Sequence, residues 1–292
     1  MSAFGEAIAF GAASIVNAIA TGKGAALGVD LWTKARVRLT DEAGVIKARI
    51  VSEPEEKTTL IEKSVLTVLE YFRLEQRYGA EAETESNIPI ARGLKSSSVA
   101  ANALVLATAD ALGRRLNDLM AIKLGVDAAV RAKTTVTGAF DDACASYLGN
   151  VVVTDNYERR ILRQFRVDED FTVLFHVPPK KSYTVNSDTK MMKLTAPEIE
   201  VAFHEALSGN FWTALTLNGF LYAAVLGYDQ RIAIDALEAG AIASGLTGKG
   251  PATAAVVTNE NMEKVVKSWS RYEGEILRAK INREKAHAVR KE

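Results

Sequence analysis

Pro89-Ile90-Ala91-Arg92-Gly93-Leu94-Lys95-Ser96-Ser97-Ser98-Val99-Ala100 opens the Ala-rich apolar stretch that ends near Leu112. The run reads as an anion cradle at a helix N-terminus. Gly93 can take the backbone angles of a tight turn, three hydroxyls follow, and Val99 to Leu112 holds helix formers without Gly or Pro. The first N–H groups of such a helix lack intrahelical partners and carry roughly half a positive charge through the macrodipole, so a phosphate is a natural ligand. A Ser N-cap after a turn is the competing account of the same residues. Two nucleotide motifs are excluded by inspection. A Walker loop needs Gly, four residues, then Gly-Lys-Ser/Thr. Here Gly22-Lys23 and Gly248-Lys249 are followed by Gly24 and Gly250, with Asn17 and Ala243 at the first position. No Gly-x-Gly-x-x-Gly follows a strand-like run, so a Rossmann dinucleotide site has no support.

The 292 residues are enough for one large domain or two smaller ones with a real core. With 48% hydrophobic and 25% charged residues, the chain has the composition of an ordinary globular protein. Its 36 basic and 36 acidic residues balance, which removes the electrostatic footprint of a dedicated nucleic-acid binder and points to a small-molecule partner. The single Cys144 cannot form an intramolecular disulfide, and His176, His204 and His287 are scattered, so neither a zinc cluster nor a catalytic triad is expected. The apolar stretch Ala7 to Gly22 follows Glu6, contains Asn17 and is too short to span a bilayer or to resemble a signal peptide. A cytoplasmic protein with no membrane partner is expected.

Leu31 to Leu39 alternates, with Thr33, Ala35, Val37 and Leu39 on one side and Trp32, Lys34, Arg36 and Arg38 on the other, which predicts a half-buried strand with a solvated basic face. Strands are also predicted at Ile46 to Val51, Tyr78 to Ser86, Gly149 to Thr154, Phe171 to Val177, Thr253 to Val257 and Gly274 to Ala279. Asp155-Asn156 reads as a hairpin turn into Arg159 to Phe165. Helical spacing recurs from Leu60 to Phe72. Further helices are predicted from the Ser cluster to Leu112 and over Asn117–Ala132, Pro197–Leu207, Phe211–Leu226, Asp229–Ala243 and Asn261–Tyr272, with a frayed tail from Lys280. The fold class is α+β with mixed sheets in two halves. Pro, Lys, Ser and Asn accumulate between Val177 and Thr195, which sets the division at 1–177 and 178–292.

Two more segments bear on function. Thr137-Gly138-Ala139-Phe140-Asp141-Asp142-Ala143 places paired carboxylates after a glycine turn, and Ser244-Gly245-Leu246-Thr247-Gly248-Lys249-Gly250-Pro251-Ala252 joins a helix to a strand through three glycines. In this order the three segments, with Gly11 to Leu31 ahead of them, resemble the motifs of the GHMP small-molecule kinases. The runs Asn17-Ala18-Ile19-Ala20-Thr21-Gly22-Lys23-Gly24, Gly93-Leu94 with Ser96-Ser97-Ser98, Thr135 to Ala139 with Asp141-Asp142-Ala143, Thr154-Asp155-Asn156, Leu217-Asn218-Gly219 and Ile234-Asp235-Ala236 are similar to those of the archaeal-type shikimate kinases within that superfamily.

The resemblance implies a two-domain GHMP kinase fold, with an N-terminal half like ribosomal protein S5 domain 2 and a ferredoxin-like C-terminal half. It also implies ATP and Mg²⁺ as cofactors and transfer of phosphate to the 3-hydroxyl of shikimate. Pro89, Gly93, Leu94, Lys95, Ser96, Ser97, Ser98, Gly248 and Gly250 would hold the nucleotide, with the Ser97 hydroxyl on the metal. Asp141 would stand beside the acceptor hydroxyl. An ordinary Asp pKa of about 3.9 makes it a weak base that orients the alcohol and takes its proton late. Asp142 is the alternative carboxylate, or a cap of the following helix. Asn17, Thr21, Gly22, Lys23, Asp30, Thr137, Arg159 and Arg160 are the expected substrate contacts, either arginine serving the substrate carboxylate and Asp30 a ring hydroxyl. The first-motif lysine of mevalonate kinase has no clear counterpart, its place falling near Ser14, and Asp127 is a candidate second acidic metal ligand. The competing readings are another GHMP kinase, acting on homoserine, mevalonate or a sugar, and a non-catalytic ligand sensor on the same scaffold. Homoserine kinases lack the equivalent of Asp141.

Overall fold

The structure, a computed structural model, describes residues 3–135, 138–179 and 189–289. Strand β1 (Phe4–Val16) turns back into the long β2 (Lys23–Thr40), and β3 (Ile46–Ile50), helix α1 (Thr59–Tyr71) and β4 (Gly79–Ser86) follow. Three helices come next, α2 (Ser96–Ala111), α3 (Asp118–Arg131) and α4 (Phe140–Leu148), before β5 (Val151–Asp155), β6 (Arg160–Phe165) and β7 (Thr172–Val177). Then come α5 (Thr189–Leu194), α6 (Ala196–Ser208), α7 (Phe211–Leu226) and α8 (Arg231–Glu238). The chain closes with β8 (Ala243–Leu246), β9 (Thr253–Val257), α9 (Met262–Trp269), β10 (Glu275–Lys280) and β11 (His287–Ala288).

The first sheet runs β11-β1-β2-β4-β3, with β5 joined to the start of β2 and β6 to β5. At 18 residues β2 is long enough to serve two neighbours, pairing with β5 over Lys23 to Leu27 and with β4 over Thr33 to Thr40. The expected alternation holds. Thr33, Ala35, Val37 and Leu39 are buried, while the basic face is met across the strands by Glu6, Glu81 and Glu83, with Arg36 lying 3.2 Å from Glu6 and 3.1 Å from Glu83. Helix α2 packs on β1 and β2 and is flanked by α1, α3 and α4. Its Ala-rich surface is explained by that position, because a helix covered on every side needs no polar face.

The second sheet, β10-β7-β9-β8, is antiparallel throughout. Its strands and crossovers follow a β–α–β–β–α–β succession, the ferredoxin-like arrangement. Helices α8 and α9 cover one face through Ile232, Val265 and the fully buried Trp269. On the other side, Gly219 of α7 meets β8 closely enough that a Cβ there would lie 2.7 Å from the backbone nitrogen of Leu246.

The strand just ahead of the expected division after Val177, β7, pairs with β9 and β10 in the second sheet. Three expectations are corrected. The stretch Ala7 to Gly22, read only as apolar, is mostly β1, whose second half is buried on both faces and shows no alternation. The helix expected to reach Ala243 stops at Glu238, because Gly240 takes φ +95° in the turn behind it and β8 starts at Ala243. The tail expected to fray from Lys280 is held in place over the described residues to Val289. Ile281 bridges Val29, the Asn150 amide donates to the Asn282 carbonyl at 2.7 Å, and β11 covers the outer edge of β1.

Candidate active site

Two glycine turns face each other at the mouth of α2. Gly93 has φ +88°, and a Cβ on it would lie 2.7 Å from the Thr247 carbonyl oxygen and 3.0 Å from that of Gly250. Gly248 has φ +63°, and a Cβ there would lie 3.0 Å from Lys95 Nζ. Both positions require glycine for conformation and for space. The Ala252 amide donates to the Arg92 carbonyl at 3.1 Å, which ties the loops together. Asn17 anchors them from behind: its Nδ2 donates to the Gly248 carbonyl at 3.0 Å, and its own amide donates to Asn218 Oδ1 at 2.9 Å.

Helix α2 begins at Ser96, and the residue ahead of it, Lys95, is left-handed at φ 64° with no side-chain cap. The three serines therefore lie inside the first turn, and the Ser N-cap account is set aside. This helix end opens on a cavity of about 900 Å³, lined among others by Asn17, Lys95, Ser97, Asp141, Asp142 and Lys249.

The paired carboxylates stand in the first turn of α4 rather than in a loop, and both are buried. Their side chains part company. Asp142 Oδ2 meets Lys95 Nζ at 2.9 Å in an ion pair less than a tenth exposed on either side, so Asp142 is tied to the Gly93–Lys95 loop rather than capping the helix. Asp141 Oδ1 accepts from Asn156 Nδ2 at 2.8 Å, while Asn156 Oδ1 accepts from the Asp141 amide at 3.2 Å and from Thr154 Oγ1 at 2.8 Å. Burial, assisted by the neighbouring Asp142 charge, pushes Asp141 up to about 7 against the opposing pull of Lys95 and Asn156. The weak-base expectation is thereby corrected. Burial and the Lys95 charge push Lys249 down to about 8, with Asp142 opposing. Cys144, also on α4, is buried and its thiol is pushed up by desolvation, which makes it inert.

Several expected contacts do not reach this cavity. Asp30 Oδ1 accepts from the Lys280 amide at 2.7 Å, tying the two sheets. Arg159 pairs with Asp127 at 2.6 Å outside the cavity lining, and Arg160 is exposed on β6. Lys23 Nζ meets Glu200 Oε1 at 2.6 Å and lies over the Phe203 ring. Thr21 Oγ1 bonds to the Lys23 backbone, and Gly22, at φ +76°, sits under the Tyr157 ring. Pro89 lines a separate cavity of about 440 Å³ with Arg92, Val177 and Gly274. Thr137 lies outside the described residues. Gly93, Leu94, Lys95, Ser96 to Ser98, Gly248, Gly250, Asn17 and Asp141 are brought together.

Sequence reasoning missed Lys249 and Asn156. The first is the charged residue between two glycines already singled out, and the second is half of the recognised Asp155-Asn156 turn. Among the described residues no three His, Cys, Asp or Glu side chains converge, so a resident metal has no cage. A Mg²⁺ that arrives with phosphates needs only one or two protein oxygens. The Ser97 hydroxyl at the cavity and Asp142 Oδ1, buried without a hydrogen-bond partner among the described residues, fit that need.

Residues 59–150 match the GHMP kinases N terminal domain. The chain is 45% identical to a shikimate kinase of Methanosarcina mazei, covering 100% of this chain and 99% of the relative. It is 43% identical to one of Pyrococcus abyssi, covering 94% and 97%. The fold is that of a homoserine kinase from Cytophaga hutchinsonii, with a TM-score of 0.78 at 16% identity and coverage of 99% and 98%. A mevalonate kinase from Methanococcus jannaschii superposes with a TM-score of 0.76 at 17% identity, covering 97% and 99%. Full-length identity on this scale, joined to the facing glycine turns and the buried carboxylate, settles the kinship: the chain belongs to the archaeal-type shikimate kinase family of the GHMP kinases.

Proposed function

We propose that this protein transfers the terminal phosphoryl group of MgATP to the 3-hydroxyl of shikimate, giving shikimate 3-phosphate and ADP. The carrying observation is that one cavity holds both an uncapped helix N-terminus and a buried carboxylate poised near neutrality. Phosphoryl transfer asks the protein for positioning and charge stabilisation, because charge spreads over the phosphate oxygens in a loose transition state. The N–H groups at the start of α2 and the Gly93 loop receive phosphate oxygens. Asp141, oriented by Asn156, accepts a hydrogen bond from the acceptor alcohol and takes its proton as the new bond forms. A pKa of about 7 lets it hold that proton at neutral pH, which a carboxylate of ordinary pKa does poorly. Mg²⁺ arriving with the nucleotide would supply charge neutralisation to its phosphates, and Ser97 with Asp142 would hold it.

No helix among the described residues is long and apolar enough to cross a membrane. A cytoplasmic setting fits the single buried thiol and ATP as phosphoryl donor.

A coupled ADP-release assay with shikimate, homoserine and mevalonate in parallel tests the reading. Turnover with shikimate well above the other two is expected. Turnover of homoserine or mevalonate alone would move the substrate and keep the kinase, and nucleotide binding without turnover of any of the three would point to a ligand sensor.

A further inference from the structure

Lysines at the phosphate end of the cavity are placed differently. Lys95 is neutralised by Asp142, whereas Lys23, outside the cavity lining, pairs with Glu200. Lys249 lines the same cavity, yet its ammonium makes no hydrogen bond or ion pair among the described residues. Its backbone is fixed on both sides. Asn17 Nδ2 grips the Gly248 carbonyl at 3.0 Å, the Gly250 amide donates to the Thr247 carbonyl at 3.0 Å, and a Cβ on Gly250 would lie 2.8 Å from both Leu246 and the Tyr228 ring. The result is a cation held in a shielded position with no ion pair of its own among the described residues, which is costly unless an anion arrives to meet it. Its charge is felt together with those of Lys95 and Asp142, in the cavity that the start of α2 and Asp141 also line.

Resting on the phosphoryl-transfer reading, we propose that Lys249 is the cation that contacts the phosphoryl group as it passes from nucleotide to alcohol. In that step the bond from the terminal phosphorus to the bridging oxygen breaks and ADP leaves with the electron pair. The alcohol oxygen forms the new P–O bond, and its proton goes to Asp141. Lys249 keeps all its protons and donates to a non-bridging oxygen, where charge builds only in the triphosphate and in transfer. Its contribution therefore falls on kcat and on recognition of the γ-phosphate rather than on ADP. The neutral lysine isostere, methionine, removes the charge and keeps the volume, while arginine keeps the charge.

The test uses Lys249→Met and Lys249→Arg in the full chain, with kcat and KM for shikimate and calorimetric binding of ADP and of a non-hydrolysable ATP analogue. Lys249→Met should lower kcat by about 10² to 10³-fold with KM for shikimate changed less than about threefold. It should weaken the analogue by about tenfold or more and ADP by less than about threefold, and Lys249→Arg should recover at least about tenfold of the lost kcat. A Lys249→Met kcat within about fivefold of the parent, or an equal loss for ADP and the analogue, overturns the assignment. If the parent turns over none of the candidate alcohols, the function fails by itself, while the ADP-against-analogue comparison still decides the contact made by Lys249.

Discussion

Gly24 of β2 makes room for Asp141: a Cβ on Gly24 would lie 2.8 Å from the Asp141 carboxyl carbon and in hard contact with Oδ2. The other carboxylate oxygen is tied to Asn156, so the group cannot swing aside without breaking that bond. Gly24→Ala should therefore fold and bind nucleotide while losing about 10²-fold in kcat, since displacements near an ångström cost that much at a reacting centre. Steady-state kinetics beside circular dichroism check it, and a kcat close to that of the parent would mean the carboxylate need not sit where it does.

Asp141→Asn separates function from stability. Burial holds the carboxyl at about 7 in the folded protein, against an ordinary value of 3.8. The folded state therefore binds the proton more tightly than the unfolded chain, and stability falls as pH rises from about 4 through 7. Asn carries no charge at either end of that window. The variant should melt above the parent at pH about 8, with the gap closing as pH falls to about 4, while its turnover falls by roughly 10² to 10⁴-fold. Melting curves at the two pH values and a single ADP assay are sufficient.

The same carboxyl should shape the pH profile. For the free enzyme, kcat/KM with shikimate should drop about tenfold per pH unit below about 7, as the acceptor for the alcohol proton becomes occupied. That acid limb should vanish in Asp141→Asn. A profile flat from pH about 5 to 8 in the parent would remove Asp141 from the proton's path.

Lys95 and Asp142 form a buried pair whose halves are not independent. Lys95→Met leaves a carboxylate buried without its partner and should cost about 3 to 5 kcal/mol of stability, most of it recovered in the double variant Lys95→Met with Asp142→Leu. Urea unfolding of the single and double variants measures the difference.

With Lys95 preceding α2 and no side-chain cap at that end, Ser97→Ala removes no capping bond. Its stability should change by less than about 0.5 kcal/mol, whereas loss of a true cap costs about 0.5 to 2 kcal/mol. Affinity for MgADP, read from the nucleotide-induced melting shift, should fall clearly, and Ser96→Ala should affect it less. A drop in melting point with nucleotide affinity intact would return the serine to a structural role.

The amino-acid sequence by itself determined the features that depend on neighbours in the chain. Gly93, the serines and the unbroken Ala-rich run specified the cradle and α2. The alternation from Leu31 to Leu39 specified the second half of β2, and the glycine turn before Asp141 marked the carboxylate, because turn chemistry and periodicity are local properties. Tertiary structure alone decided which charges meet. Lys95 finds Asp142 across 47 positions, Asp141 finds Asn156 across 15, and Arg159 and Asp30 are drawn to Asp127 and Lys280 instead of to the cavity. Residue type shows that a side chain can carry charge but not what faces it, so the raised pKa of Asp141 and the lack of an ion pair for Lys249 among the described residues had no signal in the sequence. Strand β1 was hidden for a related reason: buried on both faces over its second half, it carries no alternation, and only the packing of α2 and the pairing with β2 and β11 distinguish it from any other apolar run.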